Sequence, residues 1–461
     1  MKSNRLFHQT LTFAAAVLAG CTIFPADYPA TVYVDAANGD DANDGLSRQA
    51  PLRTIQSAAD RMMAGDTCLV MGGFYDERVE ISTSGNLAAP IVFVTREVAV
   101  TRGFTVKADC IQLIGFEVTD TIDDAIAGPG IYVEGRLCHI VNNYIHDVTR
   151  QGILISAVSP DSPSTSHCVI RNNRIARAGH TGIWLYGRNH LIENNDISRI
   201  LRQPRKWRNL PEWADADGMV LLGSGHVIRK NRIHDIHVTD PENSGDPHID
   251  AFQIPGGPAY NIIFEQNVAS VPLYPGRCMQ IAMISGSDGN VRDLTFRNNV
   301  FVNTCRGLNI WGHGNEITGV IIANNTWVNF TEHAIELHEA PAAIVKNNIF
   351  YNIDHPYLFV DQASQAGLHA GHNCIFNDDG GALPEGSRLH DLPGIDPRFI
   401  DAHAGNLRLR ADSPLIDAGK SLPQVLNDFD GVARPQGAGL DIGAFEFSSA
   451  SLSKDSLQNR P

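Results

Sequence analysis

Apolar residues in this chain alternate with polar ones in short runs, and each run ends at an asparagine. "CHIVNNYI", "CVIRNNRI", "HLIENNDI", "HVIRKNRI", "NIIFEQNV", "DLTFRNNV", "GVIIANNT" and "AIVKNNIF" share the order apolar, any, any, Asn, usually with another apolar residue two positions on. The aligned asparagines are Asn143, Asn173, Asn195, Asn231, Asn267, Asn299, Asn325 and Asn348, spaced 22–36 residues apart. The residues three positions earlier, from Ile140 to Val345, are all apolar. A period of two marks strands rather than helices. Propeller blades would be longer and more uniform, near 40–45 residues. The pattern predicts an all-β solenoid, a parallel β-helix in which Asn at a turn bonds backbone groups of its own and neighbouring coils.

A second run of alternating residues follows each asparagine: "TGIWLY", "DGMVLL", "DAFQIP", "QIAMIS", "RGLNIW" and "HAIELH". Aligning their apolar pairs, from Ile183/Leu185 to Ile335/Leu337, puts Thr181, Asp217, Asp250, Gln280, Arg306 and His333 in one column. Neighbouring strands lie about 4.8 Å apart, so the column predicts a polar stripe along one flank. Outward positions are Trp184, Val220, Gln253, Met283, Asn309 and Glu336; two residues on lie Tyr186, Trp311 and His338 among others. Exposed Trp184, Trp311 and Tyr186 beside such a stripe suit a carbohydrate cleft. With Gln151 of "QGILIS" added one coil earlier, the connections from ladder Asn to column residue run 8, 8, 22, 19, 13, 7 and 8 residues, longest before Asp217, Asp250 and Gln280. Solenoid insertions favour the binding face.

At the start, "APLRTIQSAADRMMAGD" predicts an amphipathic capping helix, with the cap near 50–64. "YVDAANGDDANDGLSRQAPLRTI", "SPLIDAG" and "DFDGVARPQGAGLDIGAFEF" resemble the flanks of bacterial secreted right-handed parallel β-helix proteins of the pectate-lyase-like superfold. The resemblance implies a single right-handed β-helix domain over about residues 30–445, closed by a segment near 384–447 and followed by a tail at 448–461. That superfold hosts lyases, hydrolases, epimerases and proteins without activity, so fold alone does not assign chemistry.

The chain opens "MKSNRLFHQTLTFAAAVLAGC", a basic start followed by an apolar run too short to span a bilayer. "LAGC" resembles the lipobox of bacterial lipoproteins. This implies a signal peptide over 1–21, lipidation of Cys21 and an exported, lipid-anchored protein, with Thr22 resembling outer-membrane-sorted members. The membrane would be met only through that anchor, and the oligomeric state stays open, with a monomer one option. Seven further cysteines are scattered without a CxxC, which is not a disulfide framework. Cys138 and Cys168 share one repeat position and are expected to be small buried residues. A formal net charge of −15 argues against nucleic acid. Within that acidic chain, "SRILRQPRKWRNLPEWADAD" is a local reversal: Arg205, Lys206, Trp207 and Arg208 suit an anionic sugar polymer.

Two chemistries fit the stripe. In the first, a lyase cleaves a uronate polysaccharide by β-elimination. Asp215, Asp217, Asp246 and Asp250 would bind Ca²⁺, with no organic cofactor, and Arg306 or His333 would serve as clamp or base. In the second, Asp217 and Asp250 act as paired carboxylates of a glycoside hydrolase. "DADG", "HIDAF" and "CRG" resemble the motif order of polygalacturonase-type hydrolases, but Ile249 and Gln280 depart from it. The stripe also lacks the lysine used by many β-helix lyases. Gln253, Gln280, Asn309, Trp311, Glu336, His338 and Trp184 are the remaining substrate-binding candidates. A C5-epimerase or a non-catalytic glycan-binding lipoprotein would share parts of this surface.

Overall fold

The computed structural model describes residues 32–122, 124–200, 216–236, 249–271, 279–380 and 388–448. Three long sheets of 14, 11 and 13 strands share them, and every pairing within the three is parallel. One coil shows the path. His139–Val141 lies in the first sheet, Tyr144–Val148 in the third and Ile153–Ile155 in the second, before Val169–Arg171 returns to the first. The inward residues of all three sheets form one continuous core running the length of the solenoid. In it, Phe252, Phe264 and Phe296 make successive ring contacts.

The asparagine column is a hydrogen-bonded ladder. Asn231 illustrates the repeat: its Nδ2 donates to Ile192 O (2.9 Å) and to Asn267 Oδ1 (3.1 Å), and its backbone N–H donates to the same Oδ1 (3.0 Å). Its own Oδ1 accepts the matching pair from Asn195. The ladder extends one coil beyond the eight sequence repeats, to Asn373, and ends on Asp391 Oδ1. The residue before each ladder Asn, from Asn142 to His372, has φ between 53° and 58°. Asn tolerates this left-handed conformation better than most residues, which accounts for the recurrent Asn-Asn doublets.

The helix is shorter than the sequence pattern suggests. It spans Ile55–Ala59, with Thr54 Oγ1 accepting from Ser57 N–H as its cap. The carboxylate of Glu77 takes the first two helical N–H groups. Upstream residues are already committed elsewhere: Leu52 exchanges backbone hydrogen bonds with Tyr33 and Asp35. Ile55, Ala58, Ala59 and Met62 are nevertheless buried, as the apolar face requires.

Residues 388–448 pack along the outside of the third sheet. Phe399, Leu407, Leu415, Phe429, Ile442 and Phe445 cover the outward side chains of Val300, Val328, Ile349 and Tyr351. The left-handed residues of four coils donate side-chain hydrogen bonds to this segment: Gln266 to Asp428 O, Asn298 to Asn427 O, Asn324 to Asp441 O and Asn347 to Lys420 O. The carboxylates of "DFDG" hold this segment together. Asp428 accepts from Val432 and Glu446 N–H, while Asp430 pairs with Arg408.

Candidate functional site

The second sheet carries the polar column in the expected register. Thr181 pairs with Asp217, Asp250 with Gln280 and Gln280 with Arg306; Met219 opposite Phe252 links the two halves. Leu308 opposite Ile335 sets His333 at the same level on the next coil. Thr181, Asp217, Asp250, Gln280 and Arg306 each start their strand as the chain turns in from the third sheet, and His333 stands two residues before the strand Ile335–His338. The next position is glycine in several coils for a packing reason. A Cβ on Gly218 would lie 2.6 Å from Ala251 O and 2.7 Å from the Ile233 side chain. The Asp-Gly pair at Asp217 therefore follows from the tight corner and is weak evidence for a hydrolase motif.

Asp217 and Asp250 are both buried, and they touch. The backbone N–H of Asp250 donates to Asp217 Oδ1 at 3.1 Å, and Gln253 Nε2 approaches Asp250 Oδ2 at 3.4 Å. Two coils on, Arg306 Nε lies 2.7 Å from Glu336 Oε1, and Glu336 Oε2 lies 3.7 Å from His338 Nε2. Asn309 Nδ2 reaches Gln280 Oε1 at 3.5 Å. The outward positions are less exposed than the alternation suggested. Val220, Gln253, Asn309 and Glu336 are buried, and Trp184 is only partly exposed. Neighbouring strands cover these mid-sheet side chains from both sides.

His333 Nδ1 lies 2.6 Å from Pro356 O. A carbonyl only accepts, so Nδ1 carries the proton and the lone pair of the neutral ring is on Nε2. Trp311 stacks on His338 (5.1 Å) and on His313 (4.8 Å), and Phe359 lies 5.1 Å from His338. Sequence alignment passed over Phe359 and His313. Phe359 pairs with Glu336 one coil further on, where the repeat is no longer marked by a polar column residue.

Two other residues missed in the sequence hold the strand exits. His190 Nε2 donates to Tyr186 O (2.9 Å) and His226 Nε2 to Leu222 O (3.0 Å). Their Nδ1 atoms accept the backbone N–H of Cys168 and of His190, one coil back in each case. The rings stack at 5.1 Å, and burial pushes their pKa values down to about 4 and about 3. The signal was the shared first position of "HLIENN" and "HVIRKN", in register with Cys138 and Cys168. Those two cysteines are buried and free, whereas Cys305 is disulfide-bonded, a bridge that the odd count did not suggest.

Among the described residues no group of three or more His, Cys, Asp or Glu is arranged to hold a metal. Asp215 and Asp246, expected to join Asp217 and Asp250, lie outside the described residues, as do Arg205, Lys206, Trp207, Arg208 and Cys21. What the structure supplies is a pair of adjoining carboxylates with side-chain amides beside them, a hard-oxygen donor set of the kind calcium takes.

The family model described as "Right handed beta helix region" matches residues 129–320. The pectate lyase PEL9 of Emericella nidulans is 39% identical over 72 residues, 15% of this chain and 17% of that protein. The uncharacterized protein YwoF of Bacillus subtilis is 29% identical over 140 residues, 30% of this chain and 27% of that protein. The chain thus spans less than a third of the length of either relative. Among solved structures, pectate lyase Pel9A matches with a TM-score of 0.60 at 17% identity, covering 92% of this chain and 97% of its own. XylC in complex with xylose matches at 0.56 and 14% identity, covering 90% and 98%. At these identities the likeness establishes the fold: the chain is a right-handed parallel β-helix.

Proposed function

We propose that the protein is a polysaccharide lyase that cleaves a uronate-containing anionic polymer by β-elimination. The observation that carries this reading is the second-sheet column itself. Buried carboxylates at Asp217 and Asp250, the amide of Gln280, the guanidinium of Arg306 and the imidazole of His333 stand on successive coils of one face. The partial match to a pectate lyase supports the same class of substrate.

In this reading Arg306, oriented by Glu336, binds the carboxylate of the reacting uronate. His333 stands one strand spacing away, about 4.8 Å along the stack. Its Nε2 takes the proton on the carbon next to that carboxylate. The electron pair forms the ring double bond as the bond to the glycosidic oxygen breaks, and the leaving oxygen gains a proton. Asp250 is three strand spacings from His333, roughly 14 Å. The carboxylate pair therefore serves a neighbouring sugar. A calcium ion held by Asp217 and Asp250 would neutralise a substrate carboxylate there. The basic residues Arg205, Lys206 and Arg208 belong to the same proposal as contacts for an anionic polymer. So does export with a lipid anchor at Cys21; the disulfide at Cys305 is consistent with an oxidising compartment.

One observation favours a second reading. Carboxylates on adjoining strands start near the roughly 5–5.5 Å separation of retaining glycosidases. The products distinguish the two. With polygalacturonate, alginate and glycosaminoglycans as substrates, elimination gives new ultraviolet absorbance from an unsaturated uronate. Hydrolysis gives reducing ends without it, and binding without either product excludes both enzymes. For the lyase, His333→Ala should lower kcat by about 10²–10⁴ while leaving polymer binding intact. An unchanged kcat would remove His333 from the chemistry.

A further inference from the structure

We propose that the second sheet bears two sugar-stacking shelves, one toward each end of the polar column, and that the protein therefore binds a polymer along its length and cuts internal bonds. The cut rests on the lyase reading above; the two-shelf binding does not.

The first shelf lies one coil before Asp217. His180, Trp184 and Tyr186 form a run of rings, with centroids 5.5 Å apart for His180 and Trp184 and 6.2 Å apart for Trp184 and Tyr186. Thr181, at the start of the same strand, pairs directly with Asp217. The second shelf begins two coils after Asp250, where Trp311 stacks with His313 and with His338, and continues through Phe359. Trp311 and Phe359 are each 41% exposed, against the core packing expected of such large rings, so each presents ring surface to a ligand.

Between the shelves the surface changes character. Gln253 occupies the outward position of an intervening coil, and Asn309 and Glu336 lie beside the second shelf on the strands of Trp311 and His338, where side-chain hydrogen bonding accompanies stacking. The Oδ1 of Asn309 is buried without a protein donor among the described residues. A buried acceptor without a partner is costly, and a sugar hydroxyl would satisfy it. Six strand spacings separate the coil of Trp184 from that of Phe359, roughly 29 Å. That length holds several sugar units.

Flat aromatic faces bind the apolar faces of pyranose rings, while polar groups between them fix orientation. A site that released single units from a chain end would need stacking on one side of the reacting bond only. Here Trp184 and Tyr186 lie before the coils of Arg306 and His333, and Phe359 lies one coil after them, so sugars are gripped on both sides of the reacting bond.

The test uses the full chain with polygalacturonate and alginate, following viscosity, unsaturated ends and retardation in polymer-containing gels. Trp184→Ala, Trp311→Ala and Phe359→Ala are compared with wild type. Trp311→Phe serves as the ring-retaining control, and melting temperatures check the fold. Support would be an early fall in viscosity with oligomeric products, and polymer affinity weakened roughly tenfold by removing a ring from either shelf, with Trp311→Phe recovering most of it. Mono- or disaccharides from the outset, or loss confined to one shelf, would overturn the proposal. If no polymer is cut, the lyase reading fails by itself. Gel retardation that depends on both shelves then still supports the stacking subsites, and retardation of neither polymer overturns them too.

Discussion

At the scale of single residues, the buried imidazoles of His190 and His226 are the clearest case of a side chain whose protonation state is fixed by its partners. Each Nδ1 faces a backbone N–H, so adding a proton there would replace a hydrogen bond with a repulsion. Both pKa values fall below the usual 6.5, chiefly through burial. The stabilising contribution is therefore complete above pH ~6.5 and is lost as pH falls from there toward about 4 and about 3, by up to about 1.4 kcal/mol per pH unit for each ring. Urea unfolding at pH 7 and pH 5 should show a lower midpoint at pH 5. A His226→Asn variant should be less stable at pH 7 and show a shallower pH dependence; an equal dependence would assign the effect to other groups. The sequence showed the two histidines in register but not their tautomer, which depends on donors from the preceding coil. Asp217 and Asp250 were easier to read, because their position follows from the strand period alone.

Among the elements, two ladders hold consecutive coils together, and only one was visible beforehand. The asparagine ladder was visible because every coil repeats the same residue. Asn231→Ala would strip partners from Ile192 O, from the N–H groups of Asn195 and from Asn267 Oδ1. It should cost about 3 kcal/mol, measured by denaturant unfolding; a loss below 1 kcal/mol would mean that water replaces the amide. The second ladder lies on the outer face of the first sheet, where Glu193 takes Arg171 at 2.8 Å and Arg229 at 2.7 Å across three coils. Arg297 pairs with Glu265 further along the same line. Its signs alternate, so no single residue type repeats. The pattern emerges only once the strand register aligns Arg171, Glu193 and Arg229. Glu193→Gln should lower stability by about 2 kcal/mol, with a smaller loss when Arg171 is already replaced, since the two changes share one interaction.

On the scale of the whole molecule, the β-helix, eight rungs of its asparagine ladder and the location of the polar flank were legible in the sequence. The path of the last sixty or so residues was not. Their contacts with Gln266, Asn298 and Asn324 span more than 100 residues of chain, and no local period records them. Within that segment Arg434 and Glu446 form a buried pair at 3.0 Å. Arg434→Ala leaves Glu446 charged and buried, and should cost about 3–5 kcal/mol, read as a drop in melting temperature with the second-sheet site unaltered in polymer binding. A melting temperature equal to wild type would show that the segment contributes little to stability.

The clasp of residues 388–448 over the third sheet also sets an order of events during synthesis. Coils can stack one upon the next as they emerge, because each pairs only with its neighbours. The apolar flank at Val300, Val328 and Ile349, however, stays bare until residues 399–445 have left the ribosome. A nascent β-helix therefore passes through a stage with a finished interior and one uncovered wall, and that wall is where a chaperone or a second nascent chain would first find purchase.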